Sequence, residues 1–228
     1  MSSREKTSAA RPSAPDLFHA FLLYQRLRDR YGPSGWWPGE TRLEIAVGAV
    51  LTQNTAWSNV EKAIALLKEH SMLDVRRIHS APADTLAALI RPSGYYNLKS
   101  VRLKNLMQVI MELCAGDVEA FFNRDLQDLR SVLLAVNGIG KETADSICCY
   151  AADKAIFVVD AYTRRILSRH GMVEEQADYE AIRHLFESGL PRDPAVYKDL
   201  HAYLVSVGKD FCLKSRPRCE SCPLKGWP

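Results

Sequence analysis

Two glycines interrupt an otherwise helical sequence in the stretch VNGIGKETAD, which runs from Val136 to Asp145. Glycines on both sides of one apolar residue permit a tight hairpin with positive φ angles. The N–H groups at the start of the next helix would then point outward together, and the helix dipole would favour a phosphate oxygen there. An ordinary turn between two helices fits the same letters, so this stretch alone predicts a helical hairpin and leaves its ligand open.

Helical periodicity dominates the chain on both sides of this hairpin. Apolar residues recur at intervals of three or four positions, as in Leu103, Leu106, Ile110 and Leu113, in Leu126, Leu129, Leu133 and Val136, and in Val196, Leu200, Leu204 and Val207. Such spacing places them on one face of a helix. Strand-like alternation is almost absent, and short breaks rich in Gly and Pro separate the segments. The sequence therefore predicts an all-α fold.

The composition is that of a folded protein with a mild positive charge. The 228 residues are 47% hydrophobic, which suffices for a sizeable core, and carry a formal net charge of +3, which does not identify a polyanionic partner. Residues 1–16 lack the apolar core of a secretory signal and are predicted to form a disordered tail. No segment has the roughly 18 consecutive apolar residues of a membrane span. We therefore expect an intracellular protein without membrane attachment. We also expect it to act as a monomer.

A second segment of interest is FVVDAYTRRIL, which places Asp160 at the predicted start of a helix. Aspartate is a preferred N-cap residue, and the helix terminus favours its ionised form. An ionised carboxylate in a cleft can also stabilise a cationic sugar or orient a water molecule. Capping and catalysis are compatible, so Asp160 is a candidate catalytic residue.

Together these motifs resemble the helix-hairpin-helix DNA glycosylase superfamily, to which endonuclease III belongs. The resemblance rests on LLAVNGIGKETADSI from Leu133, VVDAYTRRIL from Val158, EIAVGAVLTQNTAWSNVEKAI from Glu44, RPSGYYNLKSVRL from Arg91 and the cysteine-rich C-terminus. Within the superfamily the sequence is most similar to 3-methyladenine DNA glycosylase III, which shares the patterns WWPG, LTQNT, RPSGYYN, GIGKETAD and VVDAY. The resemblance covers most of the chain and implies a two-lobed helical fold with a central cleft.

The implied architecture divides the chain into two lobes behind the N-terminal tail. One is a helical bundle over residues 43–152, which contains the hairpin. The other combines residues 17–42 with 153–228 and contains the cysteine-rich loop. The hairpin and Asp160 would both lie at the mouth of the cleft.

The resemblance also implies roles for the hairpin. The residues that would bind the DNA backbone are Gly138, Ile139, Gly140 and Lys141. Bifunctional members place a lysine nucleophile two positions after the last hairpin glycine, where this chain has Glu142. Lys141 is displaced by one residue, about 100° around a helix. Loss of this nucleophile predicts a glycosylase without lyase activity, and Glu142 as a solvated helix residue is equally consistent with that loss.

An aromatic base pocket is a further implication. A glycosylase must rotate its target nucleotide out of the duplex and hold the base by stacking and edge contacts. Trp36, Trp37 and Trp57 lie in segments that match the family's base pocket, although a place in the core is the alternative for all three. A 3-alkylated adenine is positively charged, so aromatic faces would attract it by about 0.5–2 kcal/mol. Because this base leaves as a neutral molecule, it has less need of an acid catalyst.

Other predicted loops match family elements that fill the gap left by the extruded nucleotide. They contain Gln53, Asn54 and Tyr95, and polar or bulky side chains suit that task. Helix capping and packing at the edge of the core are the alternative roles.

Three cysteines near the C-terminus, Cys212, Cys219 and Cys222, have the spacing C-x6-C-x2-C and alternate with basic residues. Many family members have a fourth cysteine separated from the third by five residues, and the four hold a [4Fe-4S] cluster in a basic loop that meets DNA. Here that position is Pro228. The resemblance implies an iron–sulfur cluster whose fourth cysteine is absent; a truncated chain, a non-cysteine ligand, a zinc site and a degenerate loop are the alternatives.

The expected function is that of a monofunctional DNA glycosylase of base excision repair. It would act on damaged double-stranded DNA and hydrolyse the N-glycosidic bond of an alkylated purine, above all 3-methyladenine; in a bacterium it would lie in the cytoplasm with the nucleoid. A bifunctional endonuclease III-type enzyme for oxidised pyrimidines is the first alternative, which Glu142 disfavours. The second is a non-catalytic helix-hairpin-helix DNA-binding module, which would have no use for an aromatic base pocket.

Overall fold

The computed structural model describes residues 14–35 and 37–227, and for residues 14–18 it describes the main chain alone. In this part of the chain the regular structure is helical and contains no strand, which confirms the all-α prediction. The α-helices are α1 (Ala14–Tyr31), α2 (Arg42–Leu51), α3 (Trp57–Glu69), α4 (Val75–Ser80), α5 (Ala83–Leu89), α6 (Tyr96–Cys114), α7 (Val118–Phe122), α8 (Leu126–Ala135), α9 (Lys141–Ser146), α10 (Ala161–Arg169), α11 (Tyr179–Gly189) and α12 (Pro194–Asp210). A π-helical turn, Ile147–Ala151, continues α9, and short 3-10 turns occupy Arg91–Ser93 and Cys219–Ser221.

Short polar side chains begin many of these helices. Each accepts a hydrogen bond from a backbone N–H in the first turn, an arrangement worth about 1 kcal/mol per helix. These N-cap residues are Thr41, Asp74, Asp117, Asp160, Asp178 and Asp193. The sequence thus fixes where the helices start, including the helix that begins at Asp160.

The described residues divide into two compact units. Unit 1 combines 14–35 with 157–227, and unit 2 is 37–156. The predicted lobes have other boundaries, because residues 37–42 and 153–156 belong here to unit 2. Residues 14–16, predicted to be part of a disordered tail, belong to α1, and residues 1–13 of that tail lie outside the described residues.

Unit 2 is built around α2. This helix is buried along most of its length, including Leu43, Val47 and Leu51, and it contacts α3, α6, α7 and α9. Burial of several such side chains, at about 1.5–3 kcal/mol each, holds α2 in place. Its C-terminal end, and the loop that follows, are therefore supported by the core of the unit.

In unit 1, α10 packs against α12, and α1 packs against α11 and α12. The two helices α10 and α12 lie close together at Gly208, where a Cβ atom would overlap the ring of Tyr162. The stacked rings of Phe157 and Phe186, with centroids 4.1 Å apart, lie in the same core. None of the helices in the described residues combines the length and apolar character needed to cross a bilayer.

Candidate functional site

The glycine hairpin joins α8 to α9. A hydrogen bond from the N–H of Ile139 to the carbonyl of Val136, 3.1 Å long, closes a turn whose third residue, Gly138, has a φ of +96°. A positive φ at this position is what favours glycine. Gly140, in contrast, has φ −89° and ψ 179°, so the prediction of a positive φ is wrong there. One left-handed residue suffices to turn the chain, and buried Ile139 anchors the hairpin in the core.

The hairpin is held from the side by two polar residues. The Nε2 of Gln53 donates to the carbonyl of Gly138 at 3.2 Å and to the Oγ1 of Thr143 at 2.9 Å. The other end of the same amide, Oε1, accepts from Arg102, whose side chain lies against Gly138. Gln53, predicted to fill a gap in the duplex, thus has both ends of its amide engaged with neighbouring residues. Its role in the duplex stays a prediction.

The surface of the hairpin is open at the start of α9. A Cβ placed on Gly140 would meet no atom within 4 Å. Lys141 and Glu142 follow in the first turn of α9, and both are exposed. Behind them the buried carboxylate of Asp145 pairs with Arg130 of α8, through bonds of 2.6 and 3.2 Å. A bidentate pair of this kind fixes α8 and α9 in one orientation.

Asp160 caps α10 and faces α12. Its Oδ1 accepts from the N–H of Thr163 at 2.7 Å, and its Oδ2 lies 3.7 Å from the Nε2 of His201. Burial raises the pKa of Asp160, but His201 and the Thr163 amide stabilise the carboxylate more strongly, so the pKa lies below its ordinary value. The side chain is 11% exposed. Asp160 is therefore an ionised, mostly buried carboxylate, which is compatible with both capping and catalysis.

Two of the three predicted pocket tryptophans come together in unit 2. The rings of Trp37 and Trp57 meet edge to face with centroids 5.2 Å apart, and Trp37 also contacts Tyr150 at 4.7 Å. Trp37 and Trp57 are half-buried. Gly48 of α2 lies beside both, since a Cβ there would be 3.4 Å from Trp57 and 3.6 Å from Trp37. Trp36, the third predicted pocket residue, lies outside the described residues.

Asn54 and Tyr95, the other predicted gap-filling residues, are exposed on two neighbouring loops of unit 2. Both have a left-handed backbone, with φ values of 53° and 46°, and Tyr95 is 70% exposed. The loops are joined by a hydrogen bond of 2.5 Å from the Oγ1 of Thr55 to the carbonyl of Ser93. Left-handed non-glycine residues cost roughly 1–2 kcal/mol and cluster at functional sites.

The three C-terminal cysteines line one cavity of about 200 Å³ in unit 1. The Sγ of Cys212 accepts from Arg169 at 3.3 Å, and the Sγ of Cys222 accepts from the N–H of Leu224 at 3.4 Å. Thiolates are the donors that iron–sulfur clusters use, so three thiols on one cavity fit the implied cluster in donor type. Over the described part of the chain, no group of three or more His, Cys, Asp or Glu side chains has the arrangement of a metal-ion site.

Sequence reasoning does not identify some of the residues in these arrangements. Tyr150 and Gly48 read as ordinary helix residues, and His201 lies in the apolar repeat of α12. A lysine of α6, Lys99, is among the largest fully buried side chains. Lys99 lies between Leu98 and Ser100 in the sequence, and a lysine in a helix is usually solvated.

Comparison with known proteins defines the class to which this chain belongs. The family model of the HhH-GPD superfamily of base excision DNA repair proteins matches residues 47–192. The chain is a member of this family of DNA glycosylases. A Methanocaldococcus jannaschii protein, provisionally named a DNA repair glycosylase, is 48% identical over 206 residues, which cover 90% of this chain and 93% of that protein.

Two solved structures describe the similarity further. The Helicobacter pylori 3-methyladenine DNA glycosylase bound to 1,N6-ethenoadenine has a TM-score of 0.73 and 29% identity, and the match covers 83% of this chain and 97% of that one. A trapped endonuclease III–DNA covalent intermediate has a TM-score of 0.77 at 20% identity and covers 90% and 91%. At that identity the second similarity supports the fold alone.

Proposed function

We propose that this protein is a monofunctional DNA glycosylase that hydrolyses the N-glycosidic bond of alkylated purines, above all 3-methyladenine. The observation that carries the proposal is an aromatic cluster in which half-buried Trp37 and Trp57 lie beside Gly48 and buried Tyr150 contacts Trp37. The similarity to the H. pylori 3-methyladenine DNA glycosylase, at 29% identity, supports the same substrate class.

The chemistry of this cluster suits a cationic base. Alkylation at N3 places a positive charge on adenine, and aromatic faces attract such a charge by about 0.5–2 kcal/mol. The absence of a side chain on Gly48 lets both tryptophan rings lie close to the backbone of α2. A neutral, undamaged base would gain the stacking but lose the cation–π attraction. The cluster would therefore discriminate by charge as well as by shape.

Asp160 would be the catalytic carboxylate. As the bond between the base and the sugar lengthens, positive charge grows on the sugar, and an ionised carboxylate stabilises it. The bonding electrons leave with the alkylated purine, which becomes neutral, so no proton has to be donated to it. Water then adds its oxygen to the sugar carbon and gives its proton to Asp160 or to solvent. His201 and the Thr163 amide keep the carboxylate ionised for this role.

The hairpin would bind the DNA backbone without attacking it. Gly140 is open to a phosphate, and exposed Lys141 adds a positive charge beside it. Glu142 has no amine, so it cannot form the Schiff base with the sugar that strand cleavage by a lyase requires. The expected product is an intact strand with an abasic site. We further propose that the protein acts as a monomer, in the compartment that holds the DNA.

The cysteine cavity is the proposed place of a [4Fe-4S] cluster. Cys212, Cys219 and Cys222 would be ligands, with a fourth that is not a cysteine of this sequence. When bound, the cluster would supply covalent cross-links between the end of α12 and the C-terminal loop. The chain's own contribution is the Arg169 guanidinium, whose Nη1 donates to the Sγ of Cys212 at 3.3 Å.

Base release from defined duplexes tests the proposal. Duplexes with 3-methyladenine, 1,N6-ethenoadenine or an oxidised pyrimidine are incubated with protein, and the free base and strand breaks are measured separately. We expect release of the alkylated purines, an intact strand and no borohydride-trapped adduct. Asp160→Asn should lower the rate by about 10²–10³-fold because it removes the charge and keeps the cap.

A matched control is Asp178→Asn, which changes another N-cap aspartate, that of α11 in the same unit. It should leave base release unchanged. Release of an oxidised pyrimidine with strand cleavage, and a trapped adduct that disappears in Lys141→Gln, would contradict the monofunctional assignment.

A further inference from the structure

A buried lysine of α6 joins two loops of unit 2. Lys99 is 1% exposed, and its Nζ donates to the carbonyl of Leu51 at 2.7 Å and to that of Ser93 at 2.6 Å. The first carbonyl ends α2, and the second belongs to the turn before α6. Burial, with a smaller contribution from the charge of Arg102, lowers the pKa of Lys99 to about 8, so the ammonium form still predominates at neutral pH. A charge this deeply buried is costly unless its hydrogen bonds are made.

The two loops that Lys99 joins are those of Asn54 and Tyr95. Asn54 follows Leu51 by three residues, and Tyr95 follows Ser93 by two. Asparagine tolerates a left-handed backbone, whereas a bulky residue such as Tyr95 adopts one only where its surroundings impose it. An exposed aromatic ring on such a backbone has little packing to hold its position. The buried lysine beneath supplies that support.

The same helix also positions the glycine hairpin. Arg102 contacts Gln53 and Gly138, and the Nδ2 of Asn105 donates to the carbonyl of Asn137 at 3.0 Å. Positions 99, 102 and 105 are three apart and follow one side of α6. One helix therefore sets the relative positions of the hairpin and both exposed loops.

We propose that Lys99 is a positioning residue for base extrusion, which holds Asn54 and Tyr95 at a fixed separation so that both enter the base stack as the target nucleotide leaves. A rigid pair loses no further conformational entropy on entering the duplex, whereas two independent loops would. The inference rests on the proposed function, because it assigns the two exposed residues to the DNA that the glycosylase opens.

The test compares two lysines of the same helix. Lys99→Met removes the donor and keeps the unbranched side chain apart from its terminal atom. Lys104→Met is the matched control, because Lys104 also donates to two carbonyls, those of His79 at 2.8 Å and Ala81 at 2.5 Å, but supports neither loop. Single-turnover base release is measured on a paired duplex and on a duplex in which the base opposite the lesion is missing.

We expect Lys99→Met to lower release from the paired duplex by about ten- to a hundredfold, in the range that small misplacements of reacting groups produce. The duplex that lacks the opposite base should recover most of this loss, because less work is needed to extrude the lesion. Lys104→Met should behave as wild type on both. An equal loss on both duplexes would overturn the proposal, since it would mean a general loss of structure.

A double-mutant cycle asks whether Lys99 acts through the tyrosine. Tyr95→Ala removes the ring directly, so adding Lys99→Met to it should cause little further loss. Losses that multiply would refute the assignment. If Lys99→Met does not fold, Thr55→Val takes its place, because it removes the other tie to Ser93 without touching a charge.

Unstacking can be followed without any glycosylase turnover. The fluorescence of 2-aminopurine placed beside a stable abasic-site analogue should rise when wild-type protein binds, and less so with Lys99→Met. If the wild-type protein releases no base but its fluorescence rise exceeds that of Lys99→Met, the proposed function fails while the positioning role stands. If base is released and the fluorescence rises equally with the wild-type protein and with Lys99→Met, only the positioning role fails.

Discussion

Alanine substitution should lower the stability of the protein at one glycine of the hairpin but not at the other. In Gly138→Ala the new Cβ sits on a residue with φ +96°, which costs about 1–2 kcal/mol for an L side chain. It also overlaps Arg102, lying 2.9 Å from its Nε, so the guanidinium must move and its bond to Gln53 weakens, at about 0.5–1.5 kcal/mol. The free energy of unfolding should fall by about 1.5–3.5 kcal/mol, and Tm by roughly 3–14 °C.

Gly140→Ala should leave stability intact. Its φ of −89° suits any residue, and the added Cβ meets no atom within 4 Å. A small gain of up to about 1 kcal/mol is expected because alanine restricts the unfolded chain. The open space around Gly140 is, however, where we place the DNA backbone. DNA affinity should therefore fall in both variants, with stability lost in only one.

Urea denaturation followed by two optical probes gives the stability difference, and fluorescence anisotropy on an undamaged duplex at several salt concentrations gives the affinity. Wild-type affinity in Gly140→Ala, with an unchanged dependence on salt, would refute the hairpin as a DNA contact. Equal stability of the two variants would refute the geometric argument for Gly138.

Two further predictions concern the pocket and the cysteines. Trp57→Ala should slow the release of 3-methyladenine more than that of a neutral base, because it removes an aromatic face, and Trp57→Phe should lie between; equal losses for charged and neutral bases would exclude a cation–π contribution. Anaerobically purified protein should be yellow-brown and contain iron and sulfide, and the colour should be lost in Cys219→Ser but kept in Cys114→Ser, whose cysteine lies in unit 2. Colourless, folded protein with stoichiometric zinc would contradict the cluster.

Helical periodicity predicted the fold because each repeat faces a core. Leu103, Leu106 and Ile110 of α6 are fully buried, as their spacing predicts. Leu113, the last of that repeat, is 47% exposed, because it lies in the final turn of α6, just before the chain turns at left-handed Ala115. A repeat gives the direction of the buried face but not the point at which the helix leaves the core.

The sequence predicted the role of a site residue only where the neighbouring residues of the same segment indicate that role. Asp160 could be placed at a helix start from its own segment, but its partner His201 lies on another helix that only the fold brings near. The pattern Gly-x-Gly does not tell which glycine takes the positive φ. The sequence around Lys99 does not distinguish a buried hydrogen-bond donor from a solvated lysine, because the carbonyls to which Lys99 donates belong to other segments.

Within the hairpin, the residues proposed to bind DNA differ from the residue that determines whether the strand is cleaved. Its shape depends on Gly138, on buried Ile139 and on the amide of Gln53, none of which would react with a sugar. The side chain of residue 142, in contrast, is exposed in the first turn of α9, and lysine and glutamate have similar intrinsic helix propensities. An exchange at that position would therefore cost the fold little and would still add or remove the nucleophile. This chain, with Glu142, retains the supports of the hairpin, so we expect DNA binding without strand cleavage.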